Sequence, residues 1–280
     1  MNLDWFQALV LGIVQGATEF LPVSSSAHLL IIPPLLGWPE ATLTFDVVVH
    51  LATALAVLIY FRDDWFSLFR GALEGIRTAR VPWANREGRL LTWIVLASIP
   101  AAVAGLAFEA RFEAALGRGP GGLARDSALQ LLITGVLLVA AEWLTVRREG
   151  AAEGLSLPQA MWVGVAQAIA LVPGISRSGA TIAGGLAVGL SRAEATRFSF
   201  LLAAPIILGA SGVKFVKFAA TAHPASELIA LGAGFVASFV VGYLSIRWLL
   251  DYVKRAPLYV FAAYTWIFGL VAWWLLRNTP

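Results

Sequence analysis

The first apolar segment of the chain is interrupted by a polar stretch, Gln15-Gly-Ala-Thr-Glu19-Phe-Leu-Pro22-Val-Ser24-Ser25-Ser26-Ala-His28. A second polar stretch, Pro173-Gly-Ile-Ser176-Arg177-Ser178-Gly-Ala-Thr181, interrupts an apolar segment of the other half. A charged side chain at the centre of a bilayer costs about 2.5–3.5 kcal/mol on insertion scales. A chain that keeps such groups usually binds or transforms something there, so these first and second polar islands are the predicted functional site.

The composition is typical of a helical membrane protein. Hydrophobic residues make up 59% of the 280 residues and charged residues 13%, about half the charged share of soluble domains. No Lys or Arg precedes Arg62, so the start lacks the basic region of a cleaved signal peptide, and the whole chain is expected to be mature. With no Cys and three His, any metal is expected to be a hard cation bound by oxygen atoms.

The distribution of apolar and basic residues predicts a topology. The loop 62–89 carries six arginines and is expected in the cytoplasm, whereas the 42 residues before the first span contain no basic residue and are expected outside. Both termini are then extracytoplasmic. Six stretches are long enough to span the bilayer, at about residues 43–61, 90–108, 127–146, 198–220, 228–250 and 258–276.

The two polar islands do not fit this series of spans. The segment 3–36 is broken at Pro22 and again at Pro33-Pro34, and the segment 159–190 is broken at Pro173-Gly174. Each half is too short to cross, so each segment is predicted to form a re-entrant helical hairpin. Broken backbone at membrane depth is tolerated only where it is buried in protein or lines a cavity.

The two segments also resemble each other. An offset of 152 residues matches Gln7, Ala8, Gly12, Gln15, Ser24 and Ser26 with identical residues. The first hairpin is expected to enter from outside and the second from the cytoplasm, which predicts an inverted-topology repeat. The predicted fold is a single all-α polytopic membrane domain, 1–280, with six full transmembrane helices and two re-entrant hairpins. Its repeats cover about residues 1–110 and 155–255.

The first island carries groups suited to anion chemistry. Gln15 and Glu19 are four residues apart and share a helix face. The serines at 24–26 follow a break and offer hydroxyl and N–H groups at a helix start. Ser25 and His28 are three residues apart and can point the same way. The plainer alternative is that the serines cap a helix, His28 is a buried hydrogen-bonded imidazole and Glu19 is an interfacial carboxylate.

The second island places Arg177 between two serines at a predicted helix start, with Thr181 one turn later. Arginine suits bidentate binding of phosphate, and the helix start adds donors. The alternative is an arginine that reaches the lipid headgroups. Together the islands supply phosphate-binding donors, a carboxylate for metal or base chemistry, and a candidate nucleophile.

The two quoted islands resemble the signature motifs of bacterial undecaprenyl-pyrophosphate phosphatases, the bacitracin-resistance family. The resemblance implies hydrolysis of a polyprenyl pyrophosphate to the monophosphate and inorganic phosphate, which recycles the cell-wall lipid carrier and confers bacitracin resistance. It also implies a divalent cation, Mg²⁺ or Ca²⁺. The family admits Glu or Gln at the position of Gln15, so Glu19 is left as the main carboxylate and the predicted metal ligand.

Specific roles follow for the islands. Ser25 is the predicted nucleophile, with Glu19 or His28 as base, while attack by His28 or by a metal-activated water stays open. The residues predicted to be catalytic are Glu19, Ser25, His28 and Arg177. The residues predicted to contact substrate are Gln15, Ser24, Ser26, Ser176, Ser178 and Thr181. The rival class is a secondary transporter or a lipid-phosphate flippase, since inverted repeats with broken helices also describe carriers. A non-catalytic membrane scaffold is a third class, but it would give the polar islands no role.

The remaining expectations concern surroundings and other polar residues. The protein is expected in the bacterial inner (plasma) membrane as a multi-pass protein whose site opens outward. Its partners are the polyprenyl pyrophosphate lipid and the bilayer, without nucleic acid, and a homodimer is compatible with the sequence. Asp46, four residues before His50, is interpreted as a carboxylate supporting the site, and Glu142 as an interfacial residue.

Overall fold

The computed structural model describes residues 3–116, 120–146, 154–219 and 224–277. Within these ranges the regular structure consists of eleven α-helices. The helices of the first half are α1 (Trp5–Phe20), α2 (Ser25–Leu36), α3 (Leu43–Tyr60), α4 (Arg62–Ala79), α5 (Arg86–Leu116) and α6 (Pro120–Val146). The helices of the second half are α7 (Leu157–Ile169), α8 (Arg177–Ala187), α9 (Arg192–Ala219), α10 (Ala225–Tyr252) and α11 (Tyr259–Leu276).

Six of these helices are long and apolar enough to cross a membrane, which confirms the predicted spans and a multi-pass membrane protein. Their observed limits differ from the predicted ones by up to eight residues. Several begin earlier than predicted, because the helix includes polar residues that a hydropathy window leaves out. The spanning segments are Leu43–Tyr60, Arg86–Ala107, Gly122–Thr145, Arg192–Gly212, Ala225–Tyr252 and Tyr259–Leu276.

The two island segments fold as helix–break–helix units. The four helices have 16, 12, 13 and 11 residues, so the longest is about 24 Å long, less than the roughly 30 Å of a hydrocarbon core. The breaks fall at the predicted places. A further break predicted at Pro33-Pro34 is wrong: α2 includes both prolines, because they lie in its last turn and Gly37 closes the helix in the left-handed conformation just after them.

The helix starts in the two units are built in the same way. Asp4 caps α1 in a capping box with Gln7, and Ser156 begins α7 in a capping box with Gln159. At the inner starts, the Ser24 hydroxyl accepts from the Ala27 N–H, and the Ser176 hydroxyl accepts from the Gly179 N–H. Each pair of caps is separated by the same 152 residues.

Glycines bring the two units against the long helices at backbone distance. A Cβ atom added to Gly12 of α1 would lie 2.4 Å from the carbonyl oxygen of Gly234 in α10. A Cβ atom added to Gly164 of α7 would lie 2.2 Å from the carbonyl oxygen of Ala97 in α5. Such close crossings are typical of membrane helices, which associate through small residues. They fix α1 on α10 and α7 on α5.

Glu142, interpreted as interfacial, lies near the end of a span and is bonded inside the protein. Its carboxylate is fully buried in α6 and binds Arg192 of α9 in a bidentate ion pair, with Nε–Oε1 and Nη2–Oε2 distances of 2.9 and 2.5 Å. It also accepts a hydrogen bond from the Leu258 backbone N–H at 2.9 Å. Because both oxygens are satisfied, the charge is tolerated inside and joins α6, α9 and the start of α11.

Candidate active site

The two breaks of the helix–break–helix units meet. The Ser178 hydroxyl, at the start of α8, donates a hydrogen bond of 2.9 Å to the Leu21 carbonyl, in the break between α1 and α2. Phe20, which precedes Leu21 in the chain, forms an edge-to-face pair with Phe200 of α9, with ring centroids 5.3 Å apart. The two polar islands therefore contact each other in the folded chain.

Glu19, in the last turn of α1, is the centre of the site. Its side chain is 5% exposed, and both carboxylate oxygens are bonded. Oε1 accepts from Nη2 of Arg177, and Oε2 accepts from the Ser25 hydroxyl. Gln15, one turn earlier on the same face, also donates to Oε2 from Nε2 at 2.9 Å. The structure thus brings together Gln15, Glu19, Ser25 and Arg177.

Arg177 has donor capacity left after this pairing. Its side chain is 18% exposed, and its Nη1 is buried with no hydrogen-bond partner among the described residues. An unpaired buried guanidinium donor is costly unless an anion completes it. Arg177 is the first residue of α8 and Ser25 the first of α2, so two helix N-termini also face the same carboxylate.

The flanking serines mostly support the two helix starts. Ser24 and Ser176 are the N-caps described above. The Ser176 backbone N–H also donates a hydrogen bond of 2.9 Å to the Thr134 hydroxyl of α6. The Ser26 hydroxyl lies 3.2 Å from that of Ser24, and the Ser178 hydroxyl 3.1 Å from that of Ser176. Their predicted substrate contacts remain predictions.

Thr181 does not point to the carboxylate group. Its buried hydroxyl donates to the Arg177 carbonyl at 2.8 Å and lies 2.6 Å from the Ser199 hydroxyl of α9. The residue lies one turn into α8, as predicted, but at that position the side chain faces the neighbouring helix. The contacts indicate that Thr181 fixes α8 on α9, whereas the sequence predicted a substrate contact.

His28 is buried and engaged elsewhere. Its Nδ1 lies 2.7 Å from the Ser24 carbonyl oxygen, and its Nε2 lies 2.7 Å from the Tyr264 hydroxyl of α11. The ring stacks on Phe268 at a centroid distance of 4.5 Å. Of the two bases considered for Ser25, Glu19 is therefore the one bonded to its hydroxyl. A serine hydroxyl that donates to a buried carboxylate is an arrangement for general-base activation of a nucleophile.

The sequence analysis gave no role at the site to two residues, His50 and Tyr264. His50 Nε2 lies 3.7 Å from Glu19 Oε2, while its Nδ1 bonds to the Asp46 carbonyl oxygen at 2.7 Å. The four-residue spacing of Asp46 and His50 indicated that one of them supports the site, but the sequence analysis assigned that role to Asp46. Tyr264 lies 236 residues from its partner His28. Nothing in its local sequence indicates that contact.

The site offers few protein ligands for a divalent cation. Within the described residues no group of three His, Cys, Asp or Glu could hold a metal ion. Two hard oxygen donors are nevertheless present: the Glu19 carboxylate, and Oε1 of Gln15, which is buried without a hydrogen-bond partner in the described part of the chain. The Nε2 of the same amide faces Glu19. Such a pair fits a cation that takes most of its ligands from substrate phosphate oxygens, as Mg²⁺ often does.

These features define a class: a helical multi-pass membrane protein with a buried carboxylate–serine–arginine site between two broken helical units. The chain belongs to the bacitracin resistance protein BacA family, whose model matches residues 8–271. This confirms the family that the two islands indicated.

Relatives match nearly the whole length of the chain. A protein of Geobacter sulfurreducens named undecaprenyl-diphosphatase is 43% identical over 267 residues, covering 95% of this chain and 96% of the relative. Proteins with the same name from Trichlorobacter lovleyi and Caldicellulosiruptor bescii are 43% and 40% identical, over 94% and 97% of this chain and 93% and 98% of the relatives. The similarity therefore covers both islands and nearly all the helices.

Proposed function

We propose that the protein is an undecaprenyl-diphosphatase that hydrolyses undecaprenyl pyrophosphate to undecaprenyl phosphate and inorganic phosphate. One observation carries this proposal: the Ser25 hydroxyl and the Arg177 guanidinium bind the two oxygens of a single buried carboxylate, Glu19. A nucleophile, its base and an anion-binding cation are thus adjacent inside the membrane domain. The names of the relatives supply the substrate class.

The pyrophosphate would be bound chiefly by Arg177. Its Nη1 has no partner among the described residues and can donate to a phosphate oxygen. The N-termini of α2 and α8 add positive potential at the same place. The serines at 24, 26, 176 and 178 line these starts and are proposed as further contacts.

The reaction is proposed in two steps. The Ser25 oxygen attacks the terminal phosphorus while Glu19 takes the hydroxyl proton; the bond from phosphorus to the bridging oxygen breaks, and its electron pair leaves with undecaprenyl phosphate. Glu19 passes this proton to the departing undecaprenyl phosphate and is a carboxylate again. Water then attacks the phosphoserine and gives a proton to Glu19; the bond from phosphorus to the serine oxygen breaks, inorganic phosphate is released, and Glu19 returns the proton to the serine oxygen. Attack by His28 is less well supported, because both of its nitrogens are already bonded.

A divalent cation, Mg²⁺ or Ca²⁺, is part of the proposal. The Glu19 carboxylate and Oε1 of Gln15 would hold it together with pyrophosphate oxygens. When bound, it would offset the negative charge of the pyrophosphate. Since Glu19 already binds Arg177 and Ser25, the protein alone offers a weak site, and binding of cation and substrate should depend on each other.

The finer architecture is also a proposal. The units α1–α2 and α7–α8 would be re-entrant hairpins in an inverted repeat, with repeats at about 1–110 and 155–255 of one domain. The matching caps and the paired crossings of Gly12 on α10 and Gly164 on α5 support this, since the first helix of each repeat packs on the last long helix of the other.

The proposed setting is the bacterial plasma membrane, with the 62–89 loop in the cytoplasm, both termini outside and the site opening outward. This orientation would let the enzyme act on carrier lipid released outside, which recycles it for cell-wall synthesis and confers bacitracin resistance. The arginine-rich 62–89 loop supports the orientation. A homodimer stays a prediction.

Phosphate release tests the proposed function. Purified protein in detergent should release inorganic phosphate from undecaprenyl pyrophosphate, and a chelator should stop it. The variant Arg177→Ala should be inactive, while Arg247→Ala, at an exposed position of α10, should match the wild type. Absence of release together with lipid transfer between the leaflets of vesicles would instead support the flippase.

A further inference from the structure

The tautomer of His28 follows from its partners. The Ser24 carbonyl oxygen, 2.7 Å from Nδ1, can only accept a hydrogen bond, so Nδ1 must carry a proton. In the neutral ring Nε2 is then an acceptor, and the Tyr264 hydroxyl at 2.7 Å is its donor. Tyr264 and Phe268 lie parallel to the imidazole, with interplanar angles of 4° and 1°. The ring position is therefore fixed by α11, and the tautomer by the Ser24 carbonyl.

The group that His28 holds is the backbone beside the proposed nucleophile. Ser24 has a φ of 68°, a left-handed conformation that is uncommon for a residue with a side chain. Its carbonyl accepts from both the backbone N–H and the Nδ1 of His28, at 3.3 and 2.7 Å. The next residue, Ser25, begins α2 and reaches Glu19 from this turn.

We infer that Tyr264 and His28 are positioning residues that hold the Ser24–Ser25 turn so that the Ser25 hydroxyl reaches Glu19. Tyr264 acts through Nε2 of His28, and His28 acts through the Ser24 carbonyl. The inference rests on the proposed phosphatase function. It gives the last helix, α11, a part in the site.

The inference is tested by a double-mutant cycle on the purified protein with undecaprenyl pyrophosphate. Tyr264→Phe should lower kcat about tenfold with little change in KM, the loss typical of one buried hydrogen bond. His28→Asn keeps a donor at the Nδ1 position, so its kcat should also fall about tenfold. His28→Gln lacks that donor, so its kcat should fall about a hundredfold. Tyr259→Phe, on the same helix, is the matched control and should resemble the wild type.

The double variant decides whether Tyr264 acts through His28. Asparagine has no counterpart of Nε2, so Tyr264→Phe should have no further effect on kcat in the His28→Asn background. If the loss of kcat in the double variant equals the product of the two single losses, Tyr264 acts independently of His28, and the inference is overturned. Loss of all activity in His28→Asn, with unchanged elution and melting temperature in detergent, would also overturn it, because the imidazole itself would then react.

The same assay separates this inference from the proposed function. A wild-type protein that releases no phosphate would reject the phosphatase function, and the positioning roles with it. If the wild-type protein hydrolyses the lipid but the kcat losses of Tyr264→Phe and His28→Asn are independent, only the positioning roles are rejected.

Discussion

Ser25 and Arg177 are the first residues of α2 and α8, and they donate hydrogen bonds to different oxygens of the Glu19 carboxylate. They are also 152 residues apart, the offset that relates the two polar islands. In the proposed repeat they occupy equivalent positions, yet one is a hydroxyl and the other a cation. The equivalent of Glu19 at that offset is Leu171, so two similar units form one asymmetric site.

Arg177 is predicted to be required for its planar geometry as well as its charge. Arg177→Ala should lower kcat/KM by about a hundredfold or more, and Arg177→Lys should recover little, because an ammonium cannot bind Glu19 and a phosphate oxygen together in the same way. Phosphate release from undecaprenyl pyrophosphate measures both. Near-normal rates in Arg177→Lys would show that only a positive charge is needed.

Gln15 is predicted to set the strength of cation binding. Gln15→Glu would place a second carboxylate beside Glu19, so the Mg²⁺ or Ca²⁺ concentration for half-maximal activity should fall severalfold. Gln7→Glu is the matched control, since glutamate serves equally in the α1 capping box. An unchanged cation requirement in Gln15→Glu would exclude this residue from the cation site.

Close crossing of α1 and α10 is predicted to be essential for stability. Gly12→Ala should destabilise the protein by about 1–3 kcal/mol, as overpacking does, because its Cβ would lie 2.4 Å from a backbone oxygen. Gly232→Ala is the control, since a Cβ there would meet no atom within 4 Å. The melting temperature in detergent compares the two; equal values would contradict the crossing.

The proposed orientation can be tested without regard to chemistry. The chain has no cysteine, so single-cysteine variants report on one position each. Arg77→Cys in α4 should stay unlabelled by an impermeant reagent in intact cells, whereas Glu40→Cys should be labelled; both positions are exposed. Strong labelling at position 77 would overturn the positive-inside assignment.

The sequence predicted the spans and the island residues because both signals are local. Hydropathy needs only neighbouring residues, and polar groups within an apolar segment are conspicuous. The ion pair of Glu142 was not predicted because its partner, Arg192, lies 50 residues away. Tyr264 was missed for the same reason, and the contact of Thr181 with Ser199 of α9 was not predicted either. The partners of these three side chains are set by contacts between residues far apart in the sequence, which local patterns do not reveal.

The most direct test of the central claim is to identify the phosphorylated residue in turnover. Rapid acid quenching of the protein with undecaprenyl pyrophosphate labelled in the terminal phosphate should trap an acid-stable phosphoenzyme. The label should map to Ser25 and vanish in Ser25→Ala, while Ser24→Ala and Ser26→Ala should retain it. An acid-labile label on His28, or full activity in Ser25→Ala, would contradict the proposed mechanism.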